Sequence, residues 1–394
     1  MNHPKIDIAF IRWSWMRAVL HNGWWLVTSL YLVTNGHLTP SQLIYIGVAQ
    51  GIISLLFEIP AGVIADTLSR KWLLVISQVL MGTAMLITGL VTSFPHLVAT
   101  QMLWGISWSF ASGADVALVT DELNEPHRIA SVLTRTARAQ LFGAAVGITA
   151  IGTFAWATSL STAMISAGIA MILLGLYIVF RFHEKRFVPV RKQRWSASWD
   201  IFKKGLCLVR QSRTILVIFI ATFLVNGASD AARLFPKQLV TIGFPDGITP
   251  IAWLTGLGIV TLLAGIPALK IVEARVHEVN IARRNYVLAC AIGAVGLIVL
   301  AFAPGIIVGS AGILLVAGIA MPLTRTMASI QVNNITTDNV RATVHSFLAQ
   351  AEYLGEIVCG LAIAFLAQAT NLSCALAGAA ALLVATAILM MRKR

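Results

Sequence analysis

The sequence predicts an all-α membrane protein: twelve transmembrane helices in two pseudo-symmetric six-helix bundles. Three observations carry that prediction. Of 394 residues, 58% are hydrophobic and only 11% are charged, whereas soluble domains carry about a quarter charged residues. Such a composition cannot cover a water-facing surface, and the mean hydropathy of +0.82 agrees. Second, apolar stretches of roughly 20 residues, each long enough to cross a bilayer as a helix, recur along the whole chain. Third, the basic residues between those stretches sort to one side.

In chain order the predicted spans are 10–34, 42–64, 72–93, 96–120, 130–157, 160–181, 214–238, 250–272, 285–303, 306–328, 341–367 and 371–391. The first carries Arg17, His21 and Asn22. It lacks the uninterrupted apolar core and small-residue cleavage site of a signal peptide, so it reads as a retained helix. Place the N-terminus inside and assign each Lys and Arg to its nearest membrane face. All of them then fall on the cytoplasmic side except Arg233 and Lys237. Cytoplasmic loops collect Lys and Arg in this way, so the net charge of +13 reflects topology and not nucleic-acid binding. Both termini are expected in the cytoplasm. Cys207, Cys290, Cys359 and Cys374 lie in or beside apolar segments without metal-like spacing, and read as packing residues. Neither a metal nor a cofactor is expected.

The longest polar stretch, 183–213, divides the chain into residues 1–182 and 214–394, six spans each. Within it Trp199, Phe202, Leu206 and Val209 recur at helical spacing opposite Lys203, Lys204 and Arg210. That is the pattern of a basic amphipathic helix lying on the inner membrane surface. The halves also echo one another. "IPAGVIAD" at 59–66 returns as "IPALKIVE" at 266–273, about half a chain later, with an acid at the same place. "LFGAAVG" at 141–147 returns as "YLGEIVCG" at 353–360, at nearly the same offset. Duplicated six-helix halves imply a transporter with its binding site near the membrane midplane.

At the end of the second span, "EIPAGVIADTLSRK" breaks from an apolar run into an acid and then a basic cluster. It resembles the signature of the major facilitator superfamily, G-x-x-x-D-R-x-G-R-[RK]. Gly62, Asp66, Arg70 and Lys71 match, while Thr67 and Ser69 replace the usual Arg and Gly. Twelve spans, the basic linker and the echo at 266–273 fit that family's plan over the whole chain. Glu58 with Ile59-Pro60, and "SGADVALVTDEL" at 112–123, are similar to a bacterial drug-efflux (drug:proton antiporter) branch. The resemblance implies a multi-pass protein of the bacterial plasma (inner) membrane and a monomer. It also implies a latch, in which the Asp66–Arg70–Lys71 cluster holds the cytoplasmic ends of the halves together while the cavity opens outward. Gly62 is expected to permit close approach of a neighbouring helix, and Asp66 to make a charge-assisted, breakable contact with Arg70. A plain orientation anchor explains the two cations but not Asp66. Thr67 removes one positive charge of the signature. The fifth span also lacks the Gly-Pro and Gly-Gly pairs of many drug antiporters.

Ionisable residues inside spans are costly, usually face the bundle interior and mark pathways. Arg17 and His21 lie one turn apart, with Trp24 on the same face. Glu58 sits in the second span. Trp108, Ser112 and Asp115 form one stripe, and Asn226, Asp230 and Arg233 another. Arg135, Arg138 and Arg325 lie near inner ends, and Glu352 and Glu356 one turn apart in span 11. Arg17, His21, Trp24, Trp108, Asn226, Asp230 and Arg233 are therefore substrate candidates, and Glu352, Glu356, Asp115 and Glu58 proton-coupling candidates. Plainer alternatives stay open. Asp230 and Arg233 either pair with each other or meet substrate. The three arginines are snorkelling anchors or gates, His21 is packed or carries a proton, and the tryptophans anchor or line. The two glutamates are hardest to dismiss, since burial and mutual repulsion disfavour both being charged. They either carry the coupling proton or are held ionised by a nearby cation, with Arg17 or Arg135 as candidates.

No His-Glu-x-x-His, phosphate-binding loop or large soluble domain is present in the sequence, so no enzyme is expected. The leading expectation is a proton-coupled exporter of amphiphilic compounds or drugs, taking a small-molecule substrate and protons or another coupling ion within the bilayer. An importer of a small polar solute is the alternative within transport. A non-transporting sensor or accessory protein on the same fold is the alternative from another class.

Overall fold

The computed structural model describes residues 6–67, 69–123, 125–187, 212–273, 279–335 and 338–391. Among them the chain is helical, without strands. The first helices are α1 (Ile6–Thr34), α2 (Pro40–Thr67) and α3 (Arg70–Thr88). Span 4 follows as α4 (Phe94–Ala111) and α5 (Ala114–Leu123), then α6 (Pro126–Ala157) and α7 (Leu160–Arg181). Span 7 is built from α8 (Arg213–Ser229), a 3₁₀ segment (Asp230–Leu234) and α9 (Phe235–Ile242). After α10 (Pro250–Glu273) and α11 (Val279–Ala301), span 10 runs through α12 (Ile306–Ile313), a π segment (Leu314–Ala320) and α13 (Met321–Ile335). The chain closes with α14 (Asp338–Ala369) and α15 (Leu372–Met391).

Eleven candidate spans among the described residues are long and apolar enough to cross a membrane. The predicted first span, α1, is not among them, although 29 residues make it about 43 Å long at about 1.5 Å per residue. Its polar Arg17, His21 and Asn22 dilute the apolar run. The amphipathic helix expected around 199–209 falls outside the described residues.

Two compact units form, one from Met1–His37 with Ile53–Trp195, the other from Leu38–Ile52 with Ser196–Arg394. Inside the first, α1 packs on α6 and α3 on α7; inside the second, α8 packs on α14 and α11 on α15. Counted by span these are pairs 1–5 and 3–6, then 7–11 and 9–12. The same neighbours recur six spans later, as duplicated halves require. Pro60 inside α2 and Pro267 inside α10 repeat the echo read from the sequence.

The crossings in pairs 1–5 and 7–11 are backbone to backbone. A Cβ on Gly147 would lie 2.0 Å from the Val19 carbonyl oxygen, and one on Gly23 would lie 2.4 Å from that of Gly147. In the second unit a Cβ on Gly355 would lie 2.1 Å from the Phe223 carbonyl oxygen, and one on Gly227 would meet Cys359 at 2.3 Å. Small residues take this role in lipid, where helices gain nothing by hiding apolar surface from water. Gly62 does not: a Cβ there meets nothing within 4 Å. The close approach expected at the signature glycine is made elsewhere, because Gly62 lies on an exposed face of α2.

Span 4 is not one helix. Gly113 takes φ +76°, a conformation that side chains with a Cβ rarely adopt, and the chain restarts at Ala114. The predicted Trp108–Ser112–Asp115 stripe is therefore cut, and Asp115 lies in the first turn of a separate helix. Span 7 changes geometry at Asp230, ahead of Pro236 in the first turn of α9; proline lacks the N–H that an uninterrupted helix needs.

These crossings set a clear expectation for stability. Gly147→Val should lower the detergent-solubilised melting temperature and folded yield, with an overpacking cost of at least about 1–3 kcal/mol. Gly62→Ala should leave both unchanged. Size-exclusion profiles and thermal melts of the two variants check this.

Candidate functional site

In the first unit, the helical spacing of Trp13, Arg17 and His21 on α1 aligns them against Trp104 and Trp108 of α4. The Arg17 guanidinium lies over Trp13 at 5.5 Å and over Trp108 at 5.1 Å, measured to ring centroids. His21 stacks on Trp104 at 5.4 Å and on Trp25 at 6.5 Å, and lies 5.7 Å from Trp108. Trp104 and Trp108 are nearly parallel, 5.4 Å apart and inclined by 14°. Asp115 exerts an electrostatic pull on Arg17. Its own carboxylate accepts the Val116 N–H at 2.7 Å.

Trp24 touches this cluster only through Trp25, its ring 6.3 Å away. It is fully buried, 0% exposed, and donates its indole N–H to the Met85 carbonyl at 3.4 Å. Its neighbour Trp25 takes the place expected for it beside His21. Helical spacing from Arg17 and His21 suits either residue, and what separates them is the Trp24 indole's hydrogen bond to Met85 of α3. Trp13, Trp25 and Trp104 are the members that sequence reasoning missed, because an aromatic residue in an apolar span carries no signal of its own.

The second unit holds an ion pair. Arg233 Nε donates to Asp230 Oδ1 at 2.6 Å, and Arg233 Nη2 donates to Gln50 Oε1 at 2.9 Å. The pair is largely out of solvent, with side-chain exposures of 14% and 4%. Asp230 Oδ2 has no hydrogen-bond partner among the described residues. Gly47 makes the arrangement possible: a Cβ there would lie 2.4 Å from Arg233 Nε and 2.5 Å from Asp230 Oδ1. Asn226 does not join in, since its amide turns back to donate to the Thr222 carbonyl at 3.0 Å. The predicted Asn226–Asp230–Arg233 stripe is thus reduced to a pair, because the 3₁₀ turn replaces the spacing of an α-helix.

Glu356 comes near this pair. Its Oε2 would be 3.5 Å from a Cβ on Gly51, and Asp230, Arg233, Glu352 and Arg325 all act on it electrostatically. Arg325 also acts on Glu352, which is exposed. The cations facing the two glutamates are therefore Arg325 and Arg233; neither Arg17 nor Arg135, considered from the sequence, acts on them. Arg135 and Arg138 are exposed on α6. Glu58 is half-buried on α2, and its Oε2 lacks a hydrogen-bond partner among the described residues.

At the predicted cytoplasmic motif, Ser69 caps α3 by accepting the Trp72 N–H. Glu184 accepts from the Ser69 hydroxyl, from the Arg70 N–H at 2.8 Å and from the Lys71 N–H at 3.4 Å. A carboxylate on free N–H groups at a helix start is favourable both as a cap and against the helix dipole. The Arg70 side chain pairs with Asp121 and donates to the Ala117 carbonyl at 3.2 Å. Lys71 Nζ donates to the Val179 carbonyl at 2.9 Å. Asp66 is helical in α2, and its side chain lies outside the described residues. Asp121 and Glu184 escaped the sequence reading, since each acts on a segment distant in the chain. Among the described residues no group of His, Cys, Asp and Glu could hold a metal ion.

The Major Facilitator Superfamily profile matches residues 15–360. No curated protein sequence matches. Among solved structures, the nucleoside transporter NupG is 15% identical with a TM-score of 0.78, covering 99% of this chain and 98% of that one. A D-xylose-proton symporter is 14% identical with a TM-score of 0.75, covering 99% and 98%. A POT family transporter in complex with 5-aminolevulinic acid is 11% identical with a TM-score of 0.73, covering 98% and 96%.

Truncating one member of a buried ion pair strands the other charge, at a cost of about 3–5 kcal/mol. Asp230→Ala and Arg233→Ala should each lower the melting temperature strongly. The double variant Asp230→Asn/Arg233→Gln should recover more than half of the loss. Equal destabilisation in all three would show that packing, not charge, sets the stability here.

Proposed function

The chain belongs to the Major Facilitator Superfamily, and on that premise we propose a proton-coupled secondary transporter working by alternating access. It exports an amphiphilic organic compound across the bacterial inner membrane as a monomer with both termini in the cytoplasm. The observation that carries the coupling is Glu356 beside the Asp230–Arg233 pair. With all acids ionised, Glu356, Asp230 and Glu352 carry one negative charge more than Arg233 and Arg325 balance. One proton removes the surplus, and its release restores it. A site whose charge balance turns on one proton can bind that proton from one side of the membrane and release it to the other. The aromatic cluster around His21 supports an amphiphilic solute, since indole faces offer large apolar contact with a polar edge.

A second reading, proton-driven uptake of a small polar solute, is favoured by one feature. Gln50, Arg233 and Asp230 form a partly buried hydrogen-bonding set suited to hydroxyl groups. Reconstituted vesicles with an imposed proton gradient separate the two readings by the direction of accumulation.

The same proposal gives the cytoplasmic motif a latch role, carried by Asp66 near the end of α2 together with Arg70 and Lys71 at the start of α3. Asp66→Asn should slow turnover while leaving expression intact; normal turnover would end the latch assignment. For the coupling site, Glu356→Gln should abolish gradient-driven accumulation yet preserve substrate exchange, which moves no net proton. Glu352→Gln should do the same if the two acids share the proton. Normal pumping with an intact pH dependence in both variants would move the proton site elsewhere, Asp115 and Glu58 being the next candidates.

A further inference from the structure

The cluster in the first unit has an unusual inventory of polar groups. Arg17 has no hydrogen bond and no ion pair among the described residues, and its contacts are the two indole faces. Asp115 acts on it only through space and lies beyond ion-pairing distance. Around it, the indole N–H groups of Trp13 and Trp104 are buried without an acceptor, and His21 Nε2 is buried without a hydrogen-bond partner. A snorkelling arginine would extend to the headgroups; this one is folded against aromatic rings in the middle of α1.

Unpaired buried donors are expensive, and each in a native protein calls for a partner. Here the missing partner is an acceptor, because two buried indole N–H donors lie beside a half-buried guanidinium that makes no hydrogen bond among the described residues. A guanidinium is suited to planar, bidentate recognition of a carboxylate or similar oxyanion, while its faces rest on aromatic rings. Beside it stand Trp104 and Trp108, nearly parallel, with Trp108 38% exposed. His21 and Trp25 continue the stack at 16° to each other. These flat faces suit a flat, unsaturated body.

We propose that this cluster is an organic-anion subsite: Arg17 holds a carboxylate-like oxyanion, and the rings of Trp104, Trp108, Trp25 and His21 hold a planar aromatic body. The inference deepens the transporter reading by giving its substrate a charge and a shape, and it rests on that reading for biological meaning. Binding itself does not depend on flux. Trp13 and Trp104 supply N–H donors to the anion's oxygens, and Asp115 restrains Arg17 without neutralising it. An aromatic cation would instead place its charge against Arg17, so the subsite discriminates by repulsion as well as attraction.

The test uses the full chain in detergent, with 1-naphthoate, the neutral 1-naphthamide and the cationic 1-naphthylmethylamine as probes. Ligand-induced thermal shift and equilibrium dialysis report binding. Naphthoate should bind at least about tenfold more tightly than the amide, the difference expected for hydrogen bonds to a charged group, and the cation weakest. Arg17→Gln should erase the preference of acid over amide while retaining weak binding of both. Trp108→Ala should weaken all three probes. If Arg17→Gln does not fold, Trp108→Ala and the ranking of probes on the unmodified protein still decide. No binding of naphthoate, a cation that binds best, or an undiminished acid preference in Arg17→Gln would overturn the subsite. Vesicle flux is measured separately. Naphthoate binding without gradient-driven movement of any probe would leave the subsite standing and count against the transporter reading; movement of the cation alone would do the reverse.

Discussion

Helices in lipid cannot gain by hiding apolar surface from water, so this fold depends on backbones that approach until they touch. The crossings of α1 with α6 and of α8 with α14 meet that constraint with glycines, Gly23 and Gly147 in one unit and Gly227 and Gly355 in the other. Each crossing lies on the helix that carries its unit's polar groups. Arg17 and His21 precede Gly23 by less than two turns, and Glu356 adjoins Gly355. Dispersion between closely packed backbones therefore also fixes where the costly side chains point. A bulkier residue at the crossing would displace the chemistry together with the packing.

The same economy of small residues governs the ion pair. Asp230 and Arg233 can sit against the first half of α2 only because Gly47 leaves room. The 3₁₀ turn brings them three residues apart on one face. Irregular backbone at membrane depth is tolerated where it is buried in protein or lines a site. Here it occurs in span 7 and again at Gly113 and in the π segment of span 10. The breaks in spans 4 and 10 fall in spans that correspond in the repeat, at different points along them.

The two units carry different chemistry on this shared plan. The first presents aromatic faces and an arginine without a counter-ion in contact; the second presents acids around an arginine that is already paired. In the first, ring quadrupoles stabilise the guanidinium charge. In the second, charges stabilise one another, and their balance is sensitive to a single proton. The two halves share a scaffold and differ in the chemistry of a few polar positions.

Composition, span length and the sidedness of Lys and Arg determined the fold class, because hydropathy and the positive-inside rule act on each segment independently. The repeat and the family signature were legible for the same reason, as local patterns in one stretch of chain. Membership in the Major Facilitator Superfamily bears out that part of the reading. Tertiary structure alone decided that Trp25 and not Trp24 faces His21, and that Gly47 admits the Asp230–Arg233 pair. It alone showed that Arg70 meets Asp121 and that Arg325, not Arg17 or Arg135, faces Glu352. Each of these depends on which of two neighbouring helix faces meets a partner far away in the sequence. A helix turns by about 100° per residue, so a shift of one position carries a side chain from the core to another surface, and apolar spans hold too few polar markers to fix that rotation in advance.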